Sequence, residues 1–232
     1  MSGNGMGERL FIGLQYLLPQ NLLSRLVGGI AASRIGIVRA ALIRLFLNRY
    51  RVDLAEASQS DPGAYASFND FFTRRLKAGA RPLDPDLRAA LCPADGVLSQ
   101  AGPIRGDTLV QAKGLDYSAT ALLGGDASLA AEFADGAFAT IYLAPHNYHR
   151  VHMPLAGTLR AARFVPGDLF SVNAATAASV PGLFTRNERV ACVFDTAAGP
   201  MALVLVGALF VGSMSLAWSG RLRPDGGRRV RE

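Results

Sequence analysis

Residues 190–211 read VACVFDTAAGPMALVLVGALFV: two apolar, β-prone runs, Val190 to Asp195 and Ala202 to Val211, parted by Gly199-Pro200. The spacing predicts strand, turn, strand. Working back along the chain, Thr158 to Val165 and Ala137 to Leu143 have the same character, and Gly and Pro recur at short intervals between them. Short strands with frequent turn signals predict an antiparallel sheet or barrel-like core rather than alternating βαβ units. Helical patterns are confined to the first third, so the predicted class is α+β: amphipathic N-terminal helices, then a mainly antiparallel β core.

The helical third is chemically distinct. Residues 9–52 carry seven arginines and no acidic residue. The longest uncharged stretch, Leu10 to Ser24, is 15 residues long and is broken by Pro19, short of the roughly 20 apolar residues that a spanning helix requires. From Ile35 to Arg51, Arg39, Arg44 and Arg51 are interleaved with Ile37, Val38, Leu42, Ile43, Leu45, Phe46 and Leu47, an amphipathic pattern with a wide apolar face. Such a face fits a membrane surface or the protein's own core. Asp61-Pro62-Gly63 predicts a turn or helix start before Phe68-Asn69-Asp70-Phe71-Phe72. Two parts are expected: residues 1–55 as a basic, membrane-associating helical segment, and residues 56–232 as a β-rich catalytic domain, incomplete at its C-terminus. Ser219 to Glu232, with five arginines and Gly226-Gly227, reads as a loop cut off in mid-domain or a frayed end.

Half of the 232 residues are hydrophobic, enough for a sizeable core. Lysine plus arginine outnumber aspartate plus glutamate by 24 to 18, which points to an anionic partner. Nucleic-acid binding rests on that charge alone, and the apolar arm and the lack of a recognition motif argue against it. The two cysteines, Cys92 and Cys192, make neither a disulfide framework nor a metal pattern and read as buried thiols. No cleavable signal peptide is legible, so a cytoplasmic location is expected.

All three histidines fall within PHNYHRVHMP, residues 145–154. Their spacing of three fits neither one face of a strand nor the i, i+4 pair of a helical zinc site, so no metal is expected. Acid/base work suits one or two of them, because imidazole both takes and gives protons near neutrality. The same three residues also fit plain histidines in a polar loop. Asp95, in CPADGV (92–97), is first a turn residue. Coupled to a histidine, it would fix the tautomer and stabilise the charged ring, as the third member of a serine-activating triad does.

FNDFFTRRLKAGARPLD (68–84), CPADGVLSQAGPI (92–104), KGLDYSATALLGG (113–125), YLAPHNYHRVHMPLAGTL (142–159), FVPGDLFSVN (164–173) and LFTRNERVACVFDTAAGPMALVLVGALFVGSM (183–214) resemble, in order, successive blocks of the bacterial phosphatidylserine decarboxylase proenzyme family. The basic apolar arm is similar in character to that family's membrane-associating helices. The resemblance implies a self-made pyruvoyl cofactor, formed when a serine hydroxyl attacks the preceding glycine carbonyl and the resulting ester eliminates. It also implies that the pyruvoyl carbonyl takes up the electrons released as carbon dioxide leaves phosphatidylserine, giving phosphatidylethanolamine.

Carried over residue by residue, the resemblance makes Asp95 and His152 the serine-activating pair and His149 the residue of the decarboxylation step; His146 takes no role. Lys113 and Arg186 lie in matched blocks and are candidates for the lipid phosphate, or plain surface charges. The cleavage string does not occur before Glu232. Gly212-Ser213 belongs to a V-G-S string that the family carries as ordinary strand. The chain is therefore expected to correspond to the β-chain portion, with no pyruvoyl serine of its own and no activity until the α-chain is supplied. Expected partners are phosphatidylserine, an anionic membrane surface at the cytoplasmic face, the α-chain and a second copy in a homodimer. The competing expectation is a non-catalytic lipid-binding protein that keeps the headgroup pocket.

Overall fold

The computed structural model describes residues 5–86, 88–112, 114–221 and 230. Three helices come first: α1 (Met6–Leu17), α2 (Gln20–Ala31) and α3 (Gly36–Arg49). Pro19 separates the first two, since a residue before proline is pushed out of the helical region, and Leu18 is extended. The Asp61 turn becomes a short 3-10 helix, Pro62–Ala64, with the Asp61 side chain accepting from the Gly63 amide. α4 (Phe68–Phe72) follows, capped by Ser67 through the Asp70 amide. Asp70 returns the favour by accepting from the Ala66 amide at 2.9 Å.

Then come β1 (Val97–Pro103), β2 (Thr108–Ala112), β3 (Leu115–Ser118), α5 (Ala119–Leu122), α6 (Ala127–Ala131), β4 (Ala137–Tyr142), β5 (Gly157–Val165), α7 (Ala174–Ala177), α8 (Leu183–Arg186), β6 (Arg189–Thr196), β7 (Gly199–Val206), β8 (Ser215–Leu216) and β9 (Gly220–Arg221). The class is α+β, with helices leading and sheets following. The predicted barrel-like closure is not formed among the described residues. The strands make separate small sheets instead: β1 with β4, β2 with β3, β5-β6-β7, and β8 with β9.

The described residues fall into two compact units. The first draws on Met1–Ser24, Gln100–Thr140 and Gly157–Glu232. Its centre is β6, antiparallel to both β5 and β7. Val190 through Phe194 are buried on both faces, and the alternation of a strand sorts them. Ala191 and Val193 pack with Leu183, Phe184 and Phe170, whereas Val190, Cys192 and Phe194 pack with Phe164 and Leu216. The predicted strand from Ala202 to Val211 stops at Val206. There Gly207 passes so close to Glu188 that a Cβ would lie 3.1 Å from its backbone oxygen. A tight turn then bridges Ala208 to Val211 with Phe210 at φ 66°, and Ser213 has φ 62°; Gly212-Ser213 is thus not strand.

Two buried glutamines of the N-terminal helices are tied into this unit. Gln15 accepts from the Ser171 amide and Gln20 from the Leu169 amide, each at 2.7 Å.

The second unit consists of Arg25–Ser99 and Ile141–Ala156. Its core joins Ile43 of α3 to Tyr65 and to Phe71 of α4, with Phe46, Leu47 and Phe68 around them. One side of α3 thus packs on the protein itself, while Ile37 and Leu45 stay exposed. No single helix among the described residues is long and apolar enough to cross a membrane. Among those residues, α2 and α3 together pass that test by length and composition, as a pair bent by 113°.

Candidate active site

Asp95, His149 and His152 all lie in the second unit. Two extended stretches bring the aspartate and the last histidine together. The Leu91 amide donates to the Pro154 carbonyl at 2.9 Å and the His152 amide to the Pro93 carbonyl at 2.8 Å, a local antiparallel pairing that leaves Asp95 two residues beyond the rung. Gly96 then passes so close to Tyr142 that a Cβ would lie 2.4 Å from its carbonyl oxygen. No side chain fits there.

The histidine loop is held from the other side by the end of α4. Arg150 Nε donates to the Thr73 carbonyl at 2.8 Å, and Arg74 Nη2 donates to the carbonyls of His146 at 3.2 Å and Asn147 at 3.4 Å. Asn147 closes the turn on itself, its side-chain oxygen accepting from the Ala144 amide at 2.6 Å.

His149 is half-buried, with its ring 4.0 Å from that of Phe72, centre to centre. Its Nδ1 is 2.9 Å from the Asn147 carbonyl. A carbonyl only accepts, so Nδ1 carries the proton and Nε2 the lone pair in the neutral ring. Burial pulls the His149 pKa down to about 4, with the Arg74 and His146 charges adding and the Asn147 hydrogen bond opposing. At neutral pH the ring is an uncharged proton acceptor.

His152 is exposed, and its Nε2 is hydrogen-bonded to the Tyr148 hydroxyl at 2.9 Å. The two rings lie nearly parallel, 15° apart. Burial raises the Tyr148 pKa, so the phenol keeps its proton.

Asp95 is gripped by Arg81, whose Nε lies 3.0 and 3.1 Å from the two carboxylate oxygens and whose Nη2 reaches one of them as well. The same Nη2 meets Glu56 at 2.9 Å. Glu56 is delivered by the pairing of residues 56–58 with 75–77, in which the Lys77 amide donates to the Glu56 carbonyl. Hydrogen bonding from Arg81 holds the Asp95 carboxyl below the usual range; burial opposes, and the charges of Arg81, His152 and Arg74 help.

The remaining predicted residues are placed as follows. Lys113 lies outside the described residues. Arg186 belongs to the other unit, where its guanidinium stands 5.6 Å over both the Tyr16 and Phe170 rings. Cys192 is buried as predicted, whereas Cys92 is exposed, three residues before Asp95. Among the described residues, no group of three His, Cys, Asp or Glu side chains is arranged to hold a metal.

Sequence reasoning passed over Arg74, Arg81, Tyr148 and Glu56. Arg74 left no more signal than Arg75 beside it, since adjacent charges read as solvated surface.

A neutral imidazole with a defined free nitrogen, a second histidine beside a phenol and a clamped carboxylate are groups suited to acid/base chemistry. Residues 68–230 match the family model described as Phosphatidylserine decarboxylase, and residues 10–51 match one described as PSD. The chain is 60% identical over 219 residues to the phosphatidylserine decarboxylase proenzyme of Ectopseudomonas mendocina, covering 94% of this chain and 77% of that protein. It is 56% identical over 227 residues to the Delftia acidovorans proenzyme, covering 98% and 79%, and 54% identical over 223 residues to the Shewanella sediminis proenzyme, covering 96% and 78%. The chain belongs to the phosphatidylserine decarboxylase family, a family of carboxy-lyases.

Proposed function

We propose that this chain is the β-chain part of an enzyme that converts phosphatidylserine to phosphatidylethanolamine, matured by self-cleavage together with an α-chain that supplies the pyruvoyl-forming serine. Family membership supports the reaction. The observation that carries it in this fold is His149, a half-buried imidazole kept neutral with its free nitrogen defined by the Asn147 carbonyl.

The residues present fit a carbonyl cofactor that works by proton transfer: acid/base groups gather in one unit. The pyruvoyl ketone supplies an electron sink for the bond that breaks as carbon dioxide leaves. The work of this chain is then to move protons. His149 Nε2 takes a proton from the headgroup ammonium and returns it to the α-carbon once carbon dioxide has gone. His152, with Asp95 beside it, takes the serine proton during self-cleavage, and Tyr148 orients its ring.

Residues 1–55 serve as a peripheral attachment to the cytoplasmic face of the membrane, and residues 56–232 carry the chemistry. Exposed apolar side chains along α1 to α3 support the attachment, among them Leu17 at 82% and Ile37 at 85% exposure. Their neighbouring arginines add roughly 1 kcal/mol each toward an anionic surface.

Co-expression with the C-terminal part of the Ectopseudomonas mendocina relative tests the proposal. Phosphatidylethanolamine formed from phosphatidylserine vesicles, with a pyruvoyl N-terminus seen by mass spectrometry, is the expected result. Vesicle binding without turnover would replace the proposal with the non-catalytic lipid-binding reading.

A further inference from the structure

Two arginines among the described residues are buried almost completely, and they are used in opposite ways. Arg189, 3% exposed, donates from Nε, Nη1 and Nη2 to the carbonyls of Leu122, Thr185, Asn187 and Ala121. It is a staple, with every nitrogen occupied. Arg74, 5% exposed, donates only from Nη2, while Nε and Nη1 have no partner. A guanidinium does not give up its proton in a protein, so that burial leaves a permanent, poorly compensated charge. Stapling alone is a poor return for such a group.

What Arg74 does reach is the loop of the histidines. It donates to the His146 and Asn147 carbonyls, and Asn147 is the same carbonyl that receives Nδ1–H of His149. We propose that Arg74 is a positioning residue for His149, fixing the loop carbonyl that decides which ring nitrogen carries the proton and holding a fixed positive charge beside the ring. This rests on His149 being the proton carrier of the proposed reaction. The charged and titratable groups in range leave the field positive. Asp95 is already neutralised by Arg81, Asp53 acts on Arg74 only at a distance, Tyr65 and Tyr148 keep their protons, and His146 adds to the effect of Arg74 on His149.

The inference implies that without Arg74 the imidazole would accept a proton more readily and would no longer be confined to the Nδ1–H form. The test uses this chain with 15N-labelled histidine, followed by NMR from pH 7.5 to 4, in the parent, Arg74→Met and Arg74→Lys proteins. The parent should show His149 as the Nδ1–H tautomer, neutral until the pH approaches about 4. Arg74→Met, which removes charge and donors at similar bulk, should raise the His149 midpoint by roughly half a pH unit or more and bring in the Nε2–H form.

A folded Arg74→Met protein with unchanged midpoint and tautomer overturns the inference. Should that variant fail to fold, Arg74→Lys decides. A single ammonium keeps the charge but loses the fork, so the Nε2–H form must appear while the midpoint stays low, and an unchanged tautomer overturns the inference. Neither readout depends on turnover. Failure of the decarboxylation assay with these spectra intact would therefore count against the proposed function and leave the positioning role standing.

Discussion

Arg81 and Asp95 form a forked ion pair, with Nε shared between both carboxylate oxygens at 3.0 and 3.1 Å, and Glu56 accepts from the same Nη2 that also reaches Asp95. The carboxylate is therefore already committed, and His152 finds its direct partner in Tyr148 instead.

The pair has a pH signature. The Asp95 carboxyl is held below its ordinary value, so the stability it contributes is present above the usual carboxylate range and is lost as pH falls through the lowered value. Arg81→Gln should return the Asp95 midpoint toward the ordinary value in a 13C carboxyl titration. Both side chains are substantially exposed, at 43% and 30%, so the cost at pH 7 should be at most about 1 kcal/mol by urea denaturation.

His149 moves stability in the same direction with pH, but because burial disfavours its charged form rather than because a partner favours it. Its folded pKa is lowered to about 4, so the unfolded chain binds a proton near pH 6.5 that the folded chain refuses. Stability should fall by about 3 kcal/mol as pH drops from 7 to 4 through this group alone. His149→Gln should remove that part of the slope, as read by urea denaturation at a series of pH values. An unchanged slope would mean that the ring titrates in the folded chain.

Gly96→Ala should harm both fold and site. The added carbon would meet the Tyr142 carbonyl oxygen at 2.4 Å and Ile141 Cγ2 at 2.8 Å, and a backbone atom gives way only if the strand moves. A loss of about 1–3 kcal/mol is expected, with the Asp95 midpoint displaced because Asp95 is the adjacent residue. Calorimetry and the same carboxyl titration check it.

Arg189→Met tests the staple. Burial pulls the Arg189 pKa down to about 10, so it is charged at neutral pH, and its removal leaves the carbonyls of Leu122, Ala121, Thr185 and Asn187 without this donor. A loss of about 3 kcal/mol or more is expected in urea. The His149 spectrum should not change, in contrast to Arg74→Met.

Much of the architecture is legible in local sequence, and the site is so only in part. Strands at 137–142, 157–165 and 189–196 announce themselves because β-branched runs end at Gly, Pro or Asp. The break at Pro19 follows from a single residue. The early end of β7 was not legible, since Val204 to Val211 stays apolar throughout; what stops the strand is the closeness of Gly207 to Glu188, a contact made only in three dimensions. Likewise the three histidines stand out by composition, whereas Arg74 and Arg81 sit in TRRLKAGARP, where adjacent charges read as solvated surface. Only packing distinguishes Arg74, buried against Phe71, from Arg75 beside it.

His149 is the proposed proton carrier of the decarboxylation. Its most direct test is turnover of phosphatidylserine vesicles by the chain joined with the relative's C-terminal part, comparing the parent with His149→Gln after confirming by mass spectrometry that both have self-cleaved. Normal cleavage and a fall in kcat of about 100-fold or more are expected in His149→Gln. Cleaved His149→Gln protein turning over at the parent rate would contradict that role.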